Sequence, residues 1–171
     1  MKNHLQYLLM VCYLTVVAGC SSGRALSKAS NGPVEITFEA LESRMAERPR
    51  PVAVFLHTDW CRFCQNMKQT TFRDDKVLSL LSDAFYFIAF DAEQRAPVSF
   101  WGRRFDFLPT GPESGIHELA SALGTIDGDL SFPGFVLLNT DFELVFQHAG
   151  FLSAEELVAV LEAALSSTSM P

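Results

Sequence analysis

Five consecutive apolar residues, Val52-Ala53-Val54-Phe55-Leu56, run straight into His57-Thr58-Asp59-Trp60-Cys61, and a second cysteine, Cys64, stands three positions on. An apolar run without polar alternation reads as a strand buried on both faces, which requires a sheet with layers on either side. Residues 61–69 favour helix, so the strand delivers the first sulfur to a helix N-terminus. There the positive pole of the helix dipole and the unpaired amides favour a thiolate. Arg62 adds a positive charge next door, and the i, i+3 spacing brings the two sulfurs within bridging reach. Cys61 is therefore the candidate nucleophile and Cys64 the candidate resolving thiol.

The rest of the chain reads as α/β. Residues 84–90 and 133–138 are further buried strands, and 34–38 is a short one. Helical composition covers 39–48, ending before Pro49 and Pro51, and returns at 74–81. Residues 98–101 and 104–108 flank Gly102-Arg103 as a hairpin, and 115–123 reads as a helix carrying His117-Glu118. Phe142, Leu144 and Phe146 alternate with polar or smaller residues over 142–148, as in a hairpin strand. Ser153 and Glu156 form a capping box, after which Leu157, Val158, Leu161, Ala164 and Leu165 mark one face of a terminal helix. No repeat or composition shift suggests a second domain.

The N-terminus carries a different message. A short polar start with one Lys precedes an apolar run over residues 5–17, too short for a membrane span, which ends in Val17-Ala18-Gly19-Cys20. That tetrapeptide resembles the lipobox of bacterial lipoproteins. It implies a signal peptide at 1–19, acylation of Cys20, and a spacer at 20–33 linking the membrane to a domain at 34–166, with a tail at 167–171. Each buried methylene of the acyl chains adds about 0.8 kcal/mol, so several chains make the anchor effectively permanent. The expected location is the periplasmic side of the cell envelope, with inner and outer membrane both open. Cys12 leaves with the signal and Cys20 carries lipid, so only Cys61 and Cys64 remain as thiols in an oxidising compartment. A net charge of −7 gives no electrostatic support for binding nucleic acid.

Trp60-Cys61-Arg62-Phe63-Cys64 after a buried strand resembles the W-C-x-x-C site of the thioredoxin superfamily. Phe132-Pro133-Gly134 is similar to the cis-proline site of that family, and the hairpin, Gly150 and terminal helix follow in the family's order. Asp59-Trp60-Cys61 with Thr70-Thr71-Phe72 resembles periplasmic thiol-disulfide reductase domains. The resemblance implies a thioredoxin fold, a central mixed sheet flanked by helices, with a hairpin and helix inserted over 97–129 before the cis-proline strand. It implies a protein thiol-disulfide oxidoreductase, in the reductase direction, acting on the thiols or disulfides of exported proteins. A membrane thiol electron donor would keep it reduced, and no cofactor is expected beyond the redox-active Cys61-Cys64 disulfide. Partner proteins are expected to meet Trp60, Arg62, Phe63, Phe132 and Pro133.

Two departures qualify the resemblance. The buried acid that thioredoxins carry six residues before the first cysteine is replaced by Phe55, so the resolving thiol's proton needs another acceptor. Arg62-Phe63 stands where thioredoxins have Gly-Pro, which leaves the redox potential open. Other readings of the same residues are an inert disulfide, a metal site completed by His57 or His117, and a binding module without catalysis. A zinc-protease motif at His117-Glu118 is ruled out, because residue 121 is Ser. Phe85-Tyr86-Phe87 and Phe90 are expected in the core, while Phe100, Trp101, Phe105 and Phe107 are either core or a docking face.

Overall fold

Alternation along the first buried strand divides the molecule. In a computed structural model, which describes residues 32–168, strand β1 (Val52–His57) points Val52, Val54 and Leu56 to one face of the sheet and Ala53 and Phe55 to the other. The first face is covered by Phe38, Leu41 and Met45 of helix α1 (Phe38–Glu47). The second is covered by Met67 of α2 (Arg62–Gln69), Val77 and Leu81 of α3 (Asp75–Ala84), and Leu157 and Leu161 of α5 (Ala154–Thr168). Cys61 and Cys64 belong to this second cluster.

Strand β1 pairs in parallel with β2 (Tyr86–Asp91) and antiparallel with β9 (Gly134–Leu138), which pairs antiparallel with β10 (Leu144–Ala149). The sheet order is β10-β9-β1-β2, the mixed sheet expected. Parallel pairing needs a long crossover, which α2, a 3-10 turn at Thr71–Arg73 and α3 provide. The buried Thr71 hydroxyl donates to the Leu152 carbonyl at 2.7 Å and fastens this crossover to the segment leading into α5.

Several expected boundaries shift for physical reasons. The strand expected at 34–38 shrinks to one parallel bridge, Glu35 to Phe87, because Thr37 already caps α1 and Phe38 opens it. The hairpin around Gly102 is present as β3 (Val98–Phe100) and β4 (Arg103–Phe105), turning at Trp101 and Gly102, both in the left-handed region. Its second strand stops at Phe105, since Phe107–Pro109 (β5) pairs instead with Gly115–His117 (β6). The helix expected from 115 therefore begins at Glu118, as α4 (Glu118–Gly124). A two-residue ladder, β7 (Thr125–Ile126) with β8 (Asp129–Leu130), follows around Asp127-Gly128. Phe142, expected in a strand, sits in the turn at φ 62°, and a register shift between Leu144 and Phe146 breaks the alternation of β10.

The capping box forms as read: Glu156 Oε2 accepts from the Ser153 amide at 2.8 Å and hydroxyl at 2.7 Å, and the Glu156 amide donates back to Ser153 Oγ. Phe85, Phe87 and Phe90 are core, whereas Tyr86 is half-buried and donates its hydroxyl to the Arg44 and Arg48 carbonyls. The aromatics of the insertion divide, with Phe100 and Phe105 buried and Trp101 66% exposed. No helix among the described residues is long and apolar enough to cross a membrane. The expected signal peptide, Cys20 with its expected acylation, most of the expected spacer and the end of the tail lie outside the described residues.

Candidate active site

Strand β1 ends at His57, and a short loop carries the chain to Cys61, the N-cap of α2. The Cys61 sulfur accepts the Cys64 amide at 3.1 Å, so the first cysteine occupies one of the helix's unpaired donors itself. The two sulfurs are joined as a disulfide. They are unequally covered: Cys61 keeps 4% of its surface and Cys64 none. The helix end buries the first sulfur more than its N-terminal position alone suggests, because both cysteines pack into the core beneath β1, with Phe132 against the same cluster. Of the two cysteines, Cys61 alone keeps any exposed surface.

The neighbours form an apolar rim. Trp60 is 66% and Phe63 64% exposed, Arg62 is exposed, and Phe132 is half-buried. The Phe132-Pro133 bond is cis, and the Trp60 and Phe132 rings meet edge to face at 6.3 Å. Gly134 pairs with Leu56, so β9 starts level with the end of β1, and the Pro133 carbonyl accepts from the Gly150 amide at 2.7 Å. Gly150 takes φ 118°, a conformation in which a side chain would be strained. Trp60, Arg62, Phe63, Phe132 and Pro133 therefore stand at one end of the sheet with the couple.

Two charged residues near the site went unread in the sequence. Glu93 accepts the Trp60 indole N–H at 3.1 Å and holds the ring in place. Parallel register aligns His57 with Asp91, so the loops after β1 and β2 run side by side, and that pairing was the available signal. Lys68 is four residues beyond Cys64 on α2, hence on the same helix face, and its Nζ lies 3.3 and 3.2 Å from the two ring nitrogens of His57. The His57 ring stacks on Phe55 at 5.5 Å. Burial and the Lys68 charge hold His57 below the ordinary histidine pKa, against opposing pulls from Asp91 and Asp59.

His117 is remote in role. It caps α4, its Nδ1 accepting the Leu119 amide at 3.2 Å, while Nε2 lies 3.2 Å from the Ala96 carbonyl. Its partner Glu118 accepts the Asp106 amide at 2.8 Å, so the pair fastens the inserted segment. Among the described residues no group of three or more His, Cys, Asp or Glu side chains is arranged to hold a metal ion.

Comparison with known proteins places this architecture. The chain resembles a thioredoxin from Thermus thermophilus with 21% identity and a TM-score of 0.55, over 82% of this chain and 92% of that one. It also resembles a DsbH oxidoreductase, at 13% identity and a TM-score of 0.56, over 87% of this chain and 95% of that one. A thioredoxin-fold protein from Helicobacter pylori shares 14% identity with a TM-score of 0.50, over 82% of this chain and 77% of that one. At such identities the likeness concerns the fold alone. No curated protein sequence matches the chain. The sequence profile of the thioredoxin-like domain family matches residues 38–165, and with a mixed sheet, a Cys-x-x-Cys disulfide at a helix N-terminus and a cis Phe132-Pro133 bond in place, the chain belongs to that family.

Proposed function

We propose that this protein is a thiol-disulfide oxidoreductase working as a reductase on exported proteins, with Cys61 as nucleophile and Cys64 as resolving thiol. The observation that carries this reading is the disulfide at the N-terminus of α2, ringed by exposed Trp60 and Phe63. In the reduced state the Cys61 thiolate attacks a partner disulfide, forming a mixed disulfide and expelling one partner sulfur as thiolate. Cys64, once deprotonated, attacks the Cys61 sulfur, closes the intramolecular bond and releases the second partner sulfur, which takes a proton from water. The partner is reduced by two electrons and the couple oxidised by two. Trp60, Arg62, Phe63 and half-buried Phe132 form the partner surface, with Pro133 buried beside them. The lipobox-like Val17-Ala18-Gly19-Cys20 supports a lipid anchor at Cys20 on the periplasmic side of an envelope membrane, where a membrane thiol donor returns the electrons.

The test is reduction of insulin by dithiothreitol. Purified protein should accelerate it, and Cys61→Ser should return the rate to the uncatalysed level. Acceleration that survives Cys61→Ser contradicts the reading.

A further inference from the structure

Resolution of the mixed disulfide requires Cys64 to lose its proton while buried, and burial alone opposes forming a thiolate. The acid that the thioredoxin resemblance places on β1 is replaced by Phe55, and a charge of the opposite sign stands beside that ring instead. Cys64 and Lys68 stack on one face of α2, one turn apart, about 5–6 Å between Cβ atoms. The Lys68 Nζ is lodged between the Phe55 ring, 5.9 Å from its centroid, and the two His57 nitrogens. Phe55 belongs to the same face of the sheet as both cysteines. A cavity of about 150 Å³ adjoins this place, lined by Lys68, Phe55, Phe72, Phe87, Ala89 and Glu35, with room for water.

We infer that Lys68, held in place by the His57 ring, is a positioning residue that promotes ionisation of Cys64 in the resolving step. The inference rests on the oxidoreductase reading and deepens it. Cys64 S–H gives its proton to solvent water, the thiolate is favoured by the neighbouring ammonium, and its electron pair forms the bond to Cys61. His57 stays neutral, offering a ring nitrogen as acceptor to the Lys68 ammonium. The groups facing this pair are Cys64 on the same helix, Asp91 at the end of β2, Asp59 in the loop before Cys61, and Glu35 across the cavity. The carboxylates of Asp91, Asp59 and Glu35 partly offset the Lys68 charge.

The probe is oxidised glutathione. The reduced protein is mixed with it at a series of pH values and quenched with acid, and the glutathione adduct on Cys61 is followed by mass spectrometry. In Lys68→Met the adduct should resolve about tenfold more slowly at neutral pH, and the midpoint of the rate-against-pH curve should move up by about one unit. Lys68→Arg should restore most of both. His57→Asn should move the midpoint in the same direction by less, and it carries the test if Lys68→Met does not fold. A merely structural role for Lys68 slows resolution equally at every pH and leaves the midpoint fixed, and that result overturns the inference. A wild-type protein that never forms the adduct overturns the oxidoreductase reading instead.

Discussion

Two buried histidines, one on each side of the sheet, show how partners rather than burial set a residue's role. Both rings sit below the ordinary histidine pKa chiefly because burial disfavours the charged form. His117 spends its nitrogens on backbone, at Ala96 and Leu119, and its ring meets Phe90 edge to face at 5.2 Å. It is a peg that joins the end of β6 to the start of α4. His57 faces a charged side chain, Lys68, on the helix that carries Cys64. A backbone-satisfied ring fixes a segment, whereas a ring satisfied by a side chain controls where that side chain's charge stands.

The largest effect expected from this contrast falls on the redox side. Cys64→Ala should bring insulin reduction to the uncatalysed rate and accumulate partner proteins as mixed disulfides on Cys61, visible as reductant-sensitive bands. Next comes His117→Ala, which leaves the Leu119 amide and Ala96 carbonyl without their partner and opens a void. It should cost about 2–3 kcal/mol in urea unfolding, with little change in the insulin rate per folded molecule. If His57→Ala costs as much stability and spares the insulin rate, the contrast between the two rings is broken.

A smaller effect concerns pH. The unfolded chain takes up protons at both histidines as pH falls below 6.5, while the folded rings resist until their lower values are reached. The stabilisation is whole above pH 6.5 and is lost as pH drops from there through the folded values. Urea midpoints should decline over that window, and His117→Gln should flatten the decline. The smallest effect belongs to the cap of α5. Ser153→Ala should cost about 1 kcal/mol in the same unfolding measurement and leave the couple untouched.

Features written in short stretches of chain were legible beforehand. The buried strand into Cys61, the cysteine spacing, the Ser153-Glu156 box and the Phe132-Pro133-Gly134 turn each depend on neighbours within a few residues. The insertion was harder, because its order comes from pairings between distant residues. Gly115 reads as a helix start, yet a Cβ there would collide with the Phe107 ring and the Leu108 carbonyl, so the glycine marks the close approach of β5 to β6. Asp127-Gly128 was a recognisable hairpin turn, with φ of 52° and 93°, that the neighbouring helical composition obscured. Phe142 follows the strand alternation in sequence but is drawn into the turn, where it packs on Phe100 at 5.1 Å and Trp101 at 6.1 Å. Lys68 could be placed on the Cys64 face by helical spacing alone, but its contact with His57 required the three-dimensional fold.

Equilibration of the purified protein in buffers of reduced and oxidised dithiothreitol, followed by acid quench and alkylation, tests the central claim most directly. Mass spectrometry should show Cys61 and Cys64 gaining and losing their bond together, in one reversible two-electron transition of the native protein. A disulfide that stays closed in excess reductant until the chain is unfolded would contradict it.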